Sequence, residues 1–350
     1  MRRLALLGVL LWTAGAASQP LQPVPAVSAP VEDLLVSAPH IDITNGLIAA
    51  RIAPPDPQRG FYRGTRFDQS GVITSLRFHD RQYYGPWFDR TAPYVLDYAY
   101  DASGAVVAGP DSAISGPAEE FAPLNFAPHP GTFIKIGVGV LRQPDDAPYD
   151  HYRHYQIVDQ GKRTTKHTRD SVIFTQMLKS GDMAYTYEKS LRLVAGKPQL
   201  IIDHHLRNTG KQTIDTSVYD HNFLRLVPGD AGIQVHFPFP IAAADPPAAN
   251  LIHFKDGTLT YLRSMTLKER VSFPITGFGA ASVDYDIKVE DSASGAGVRI
   301  RGDQPLTKVN IFSIDKVQAV EPYIAIKLAP GRDFRWRYVY TFASAPSPQK

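Results

Sequence analysis

The 350-residue chain is predicted to be an all-β protein, a large antiparallel β-sandwich, on three observations. Short alternating or aromatic-rich runs recur from about residue 40 to residue 345. Recognisable turn residues separate them at short spacing, and no convincing amphipathic helix or fixed-period repeat intervenes. Strands that follow one another without helical crossovers pair antiparallel and stack into a sandwich or close into a barrel, and they do not form a βαβ sheet. The chain is 43% hydrophobic and 20% charged, enough apolar material for a large core. Aromatic residues make up 11% of it, which suits strands first and sugar-stacking platforms second.

In chain order, Arg2 and Arg3 precede an apolar run from Leu4 to Trp12 and then the small residues Ala14 to Ser18. This is the pattern of a secretory signal peptide over residues 1–18, with an apolar run well short of the roughly 20 residues a membrane span needs. Pro20, Pro23, Pro25, Pro30 and Pro39 mark residues 19–39 as a Pro-rich tether with no packed role of its own. Residues 40–345 follow as a single sandwich domain, without a break in composition. Zero cysteine excludes disulfides, thiolate metal sites and a Cys nucleophile. Export without disulfides fits a periplasmic or secreted protein whose large core replaces covalent staples.

The first strand pair is expected over Ile41 to Ile52 around Asn45-Gly46, the strongest short hairpin signal. Further strands are expected at Val72 to Phe78, Gln82 to Tyr84, Tyr94 to Tyr100, Phe133 to Leu141, Ser171 to Leu178, Tyr185 to Val194 and Gln199 to Leu206. Arg207 to Lys211 is a turn, and Thr213 to Tyr219 returns, with Asp215, Ser217 and Tyr219 on one face. If the strand continues, His221 joins that polar face, flanked by Asp220 and Asn222. Val309 to Ile314 is a strand, and Ala319 to Leu328 pairs with Phe334 to Phe342 across Ala329 to Asp333. Pro322 removes a ladder donor beside Glu321, which places that carboxylate at a strand irregularity where it can face a cleft.

Net charge is +3, and the 37 basic residues are dispersed, which argues against a nucleic-acid partner. His151-Tyr152-Arg153-His154 and His204-His205 lack the carboxylate spacing of a metal site. Asp284 to Asp286 and Glu290-Asp291, followed by Ser292 to Gly297, read as a solvated loop in preference to a calcium site. No Gly-x-Ser-x-Gly, P-loop or dinucleotide fingerprint occurs.

Tyr219-Asp220-His221-Asn222-Phe223 is similar to the Asn-His-x-x-Phe stretch that carries the acid in the galactose mutarotase-like superfamily, the aldose 1-epimerases and their relatives, although here the Asn follows the His. Val320-Glu321-Pro322-Tyr323-Ile324 resembles the strand that carries the base. The segment Gly60 to Ile73 resembles the place where that group keeps a sugar-binding Arg, with Arg66 chosen over Arg63. A second His of the group, followed by Gly, has no clean counterpart; His129-Pro130-Gly131 and His154 are the substitutes.

This resemblance implies a galactose mutarotase-like supersandwich that binds carbohydrate and opens an aldose ring without metal or other cofactor. Glu321 would take the proton of the anomeric hydroxyl and His221 would protonate the ring oxygen. Arg66, Asp220 and Asn222 would contact substrate, Trp87 or Tyr323 would stack on it, and Asp220 would raise the protonated fraction of His221. The same scaffold also fits a non-catalytic carbohydrate-binding module, or a polysaccharide lyase-like enzyme using Tyr or His with Arg.

Overall fold

The computed structural model describes residues 27–344. Its strands form a ten-stranded and a five-stranded antiparallel sheet with three smaller sheets around them. The expected signal peptide and the first part of the expected tether lie outside the described residues. From Ala29 the tether expectation is corrected. Ala29–Pro30 pairs with Arg90–Thr91, and Val31–Ser37 is a short helix that buries Val31 against Phe88 and its neighbours. Among the described residues no helix is long and apolar enough to cross a membrane, which leaves β-barrels unaddressed.

The Asn-Gly hairpin forms as expected: Ile41–Thr44 pairs with Ile48–Ala53, and Gly46 takes the left-handed φ of +88° that such a turn requires. Strands at Val72–Phe78, Ser171–Ser180, Met183–Leu193, Gln199–Asn208 and Ile214–Phe223 also match expectation closely. The expected Phe133 to Leu141 strand is two strands. Gly131–Lys135 turns back onto Gly139–Gln143, because Gly137 and Gly139 adopt positive φ. The expected Tyr94 to Tyr100 strand shrinks to Tyr98–Tyr100, with Tyr94 and Leu96 exposed. Asp286–Asp291 is a strand paired with Gly297–Gly302, so that acidic stretch is loop at Ser292 to Ala296 and a short turn at Asp284 and Tyr285.

The five-stranded sheet runs Arg270–Ile275, Lys308–Ile314, Val317–Leu328, Ile214–Phe223, Gly116–Phe121. One face packs Ile214, Val218, Ile324 and Ile326 against Leu200, Ile202 and Leu206 of the ten-stranded sheet. Loops from residues 60–71, 85–98 and 111–114, with the N-terminal helix, cover the other face around Phe67, Trp87 and Phe312. Ile214–Phe223 shows the consequence: burial alternates at its start, then every residue from Val218 on is buried. A strand sandwiched on both faces has to find partners for polar side chains on both.

Asp230, in the short turn Pro228–Asp230 beyond that strand, is a buried carboxyl that is only partly satisfied. It is 3% exposed, holds a positive φ of 63°, and leaves Oδ2 without a partner among the described residues. Burial pushes its carboxyl up to about 8, against a hydrogen bond from Ser313. A raised carboxyl contributes stability that is complete below its ordinary pKa and is lost as pH rises through about 8. Asp230→Asn, which tolerates the same φ, is therefore expected to match wild type in urea unfolding near pH 4. Near pH 9 it should be more stable by an amount on the order of a few kcal/mol. An unchanged difference across that range would contradict the assignment.

Candidate active site

The register of the five-stranded sheet lays the site out in rows. Asn310 lies opposite Glu321. The pairing of Ile214–Phe223 with Val317–Leu328 runs from Ile214↔Leu328 to Tyr219↔Tyr323 and resumes in the same register at Leu224↔Gln318. That register sets His221 opposite Glu321, so Asn310, Glu321 and His221 stand side by side on one face. The next row, on one side, is Lys308, Tyr323, Tyr219 and Glu120; on the other it is Ser272, Phe312, Ala319 and Phe223. The ladder lapses opposite Pro322, which has no N–H to give. Asn222 bridges the lapse: its Nδ2 donates to the carbonyls of Val320 at 3.0 Å and Asp220 at 3.2 Å.

His221 Nε2 and Glu321 Oε1 are 3.1 Å apart at the bottom of a cleft of about 1040 Å³. This is the upper end of the roughly 300–1,000 Å³ typical of small-molecule sites. Asn310 Nδ2 donates to Glu321 Oε2 at 3.0 Å and fixes the carboxyl plane. The imidazole lies flat on Phe223, with centroids 3.6 Å apart, and Phe67 and Phe312 close its edges. This aromatic cage strips water from the ring, and burial, aided by the field of Arg66, holds its pKa well below 6.5. Burial raises the Glu321 carboxyl, opposed by Arg66 and by the Asn310 hydrogen bond. Each member is thus pushed toward its uncharged form.

Arg66 lines the same cleft, on a loop that cannot drift. Phe67 N donates to Tyr62 Oη at 2.9 Å, Asp68 N to the Glu119 carbonyl at 2.7 Å, and a Cβ on Gly64 would collide with the Asp111 carbonyl. The guanidinium is held by Glu120 Oε2 at 2.8 Å and Tyr219 Oη at 2.9 Å. Lys135 Nζ supports Glu120 from below at 3.2 Å. Burial would raise the Glu120 carboxyl, but Lys135 and Arg66 outweigh it and hold it well below the usual carboxylate range. Arg63, the rejected alternative, bonds to the Gln58 carbonyl.

Three expected substrate contacts are corrected. Asp220 and Asn222 point to the opposite face from His221, as the period of two requires of residues adjacent to it. Asp220 accepts from Tyr340 Oη between the sheets, and burial with the nearby Glu119 charge raises its carboxyl well above the usual range. It therefore supplies no charge to protonate His221. Trp87 lines the cleft but is 3% exposed, stacked on Phe223 at 5.8 Å with its Nε1 donating to the Ile114 carbonyl. It forms wall and not platform. Tyr323 lines the cleft with one ring face on Tyr219 at 4.4 Å.

The cleft also holds groups that sequence reasoning did not assign to it. His151 and Tyr152 enter from the loop after Tyr149, and burial lowers the His151 pKa to about 4. His151 thus stands in the cleft where a second His was sought; His154 is also there, 3.6 Å from Asp111. His129 is elsewhere, with Nδ1 3.0 Å from the Gln143 carbonyl. Glu120, which holds Arg66 in place, stands on Gly116–Phe121, a fully buried strand that is not among those expected from the sequence.

Solved structures of the same fold include a galactose mutarotase-like protein from Lactobacillus casei, with a TM-score of 0.52 at 12% identity over 87% of this chain and 100% of that one. The Slr1438 protein of Synechocystis has a TM-score of 0.54 at 11% identity over 88% and 96%. A GalM/aldose epimerase homologue from C. elegans has a TM-score of 0.50 at 13% identity over 88% and 100%. The chain therefore carries the galactose mutarotase-like fold, and at these identities the likeness is one of fold alone. No family model matches the sequence, and no curated protein does.

Proposed function

We propose that the cleft binds an aldose and interconverts its anomers by acid/base ring opening at His221 and Glu321. The observation that carries this reading is their 3.1 Å approach on one face of the sheet at the cleft floor. The anomeric hydroxyl and the ring oxygen are bonded to the same carbon, so two groups this close can address both at once. One takes the hydroxyl proton while the other gives a proton to the ring oxygen; the ring opens to the aldehyde and recloses on either face. Catalysis needs one transferable proton on the pair, with the second group free to accept. Burial favours that state, because it leaves the pair with no net charge.

The raised carboxyl of Glu321 and the lowered imidazole of His221 support a reading in which Glu321 carries the shared proton and His221 accepts, the reverse of the roles implied by resemblance. With one proton shared across 3.1 Å, the rate is expected to fall as pH rises through the range in which the pair loses that proton. Arg66, anchored by Glu120, would hold substrate oxygens through its planar fork. Export belongs to the same proposal and rests on the pattern Arg2 to Ser18; N-terminal sequencing of protein recovered from a periplasmic fraction tests it.

NMR exchange or polarimetry on a panel of free aldoses tests the activity, with His221→Ala beside wild type. Faster equilibration with wild type than with His221→Ala is the expected result. Equal rates with and without protein across the panel would instead favour a binding module. Chain-length loss from an acidic polysaccharide would favour the lyase-like reading.

A further inference from the structure

The charges around the His221–Glu321 pair are unevenly matched. Arg66 and Lys135 share Glu120, Arg153 is paired with Asp145 at 2.6 Å, and His154 faces Asp111. Arg270 and Lys308 also line the cleft, and neither has an ion-pair partner among the described residues. They bracket the pair. The Arg270 guanidinium lies 5.3 Å from the centroid of Phe312, in the row on one side, and Lys308 Nζ lies 4.8 Å from that of Tyr323, in the row on the other. Successive rows on one face are about 7 Å apart, a distance that one sugar ring spans.

Arg270 is also oriented. Its Nη2 donates to Tyr152 Oη at 3.1 Å, which leaves the rest of the donor fork over the cleft. Two carboxylates without ion-pair partners among the described residues line the same space: Asp245 is exposed, and the carboxyl of Asp97 is raised by burial against the pull of Arg66 and Arg270. Arg270 and Lys308 thus stand on either side of the His221–Glu321 pair with no carboxylate among the described residues bonded to them, free to meet an anionic group on a bound ligand.

We propose that the cleft selects a sugar bearing an anionic substituent, a carboxylate or a phosphate ester, which Arg270 binds directly while Lys308 adds attraction. This rests on the carbohydrate reading of the cleft and narrows its substrate class. Calorimetry on wild type, Arg270→Gln and Lys308→Met tests it with glucose, glucuronate and glucose 6-phosphate, and with the same three forms of galactose. Wild type is expected to bind at least one anionic form about tenfold or more tightly than its neutral parent, with the gap narrowing as salt is added. Arg270→Gln should remove most of that gap and Lys308→Met part of it. The better of the uronate and phosphate arms identifies the substituent.

Neutral sugars bound as tightly as both anionic forms would overturn this inference and leave the carbohydrate reading standing. A gap that survives both substitutions would overturn the assignment to these residues. No binding of any sugar, neutral or anionic, would end both readings.

Discussion

Glu321→Gln is expected to slow anomer interconversion by about 100- to 10,000-fold, the range for loss of one general acid or base. Sugar affinity should change only a few fold. The amide keeps the shape of the carboxyl, so its oxygen can still accept from Asn310 Nδ2. Its NH₂ can donate to His221 Nε2, already the acceptor when Glu321 carries the shared proton, with the imidazole's own proton on Nδ1, an atom with no partner among the described residues. The fold should therefore survive, while the group loses the ability to exchange a proton. Because His221 and Glu321 act as one unit, the double variant Glu321→Gln/His221→Ala should be no slower than the slower single variant. NMR exchange rates at saturating sugar, with thermal unfolding as the control for folding, give the comparison. A loss smaller than tenfold in a folded Glu321→Gln protein would remove the pair from the mechanism.

What could be seen of this site in advance depended on whether a strand announced itself. His221 was placed on the face of Ser217 and Tyr219 by alternation alone, and that face is the cleft. The same alternation assigns Asp220 and Asn222 to the interior, against the expectation that polar residues flanking a candidate acid contact substrate. Pro322 marked the irregularity next to Glu321 correctly, and the structure adds why it is tolerated: the Asn222 amide bonds to the Val320 carbonyl where the ladder lapses.

Glu119 and Glu120 were invisible for a physical reason. Two consecutive carboxylates after Gly-Pro have poor strand propensity, and only a sheet covered on both faces, with cations waiting on each, makes a buried strand of them. Lys135 and Lys189 carry no sequence mark either, since a buried lysine in an alternating strand looks like any solvent-facing one.

Lys189→Met is expected to destabilise the protein by about 3–5 kcal/mol, the cost of leaving one member of a buried pair without its partner. Lys189 rises from the ten-stranded sheet, 2% exposed, into contact with Glu119 Oε2, and its Nζ is 3.7 Å from Asp68 Oδ2. His204 Nε2 meets the other oxygen of Glu119 at 3.0 Å, and Tyr187 Oη donates to Asp68 at 3.0 Å. Burial would raise the Glu119 carboxyl, but Lys189 and His204 outweigh it and hold it at about 2. The sign follows: a depressed carboxyl contributes stability that is present above its ordinary 4.5 and is lost as pH falls through about 2.

Removing the ammonium leaves Glu119 charged in an apolar interior or forces it to take up a proton. The loss in Lys189→Met should therefore be large at pH 7 and shrink as pH falls toward 2, where wild type has given up the same interaction. Glu119→Gln in the same chain removes the stranded charge, so the double variant should recover a substantial part of the loss at pH 7. Urea unfolding of the three variants across pH 2–7 reads both effects. If Lys189→Met alone costs less than about 1 kcal/mol at pH 7, in the range of an exposed pair, the interior between the sheets is wetter than this packing implies and Glu119 has found water in place of its lysine.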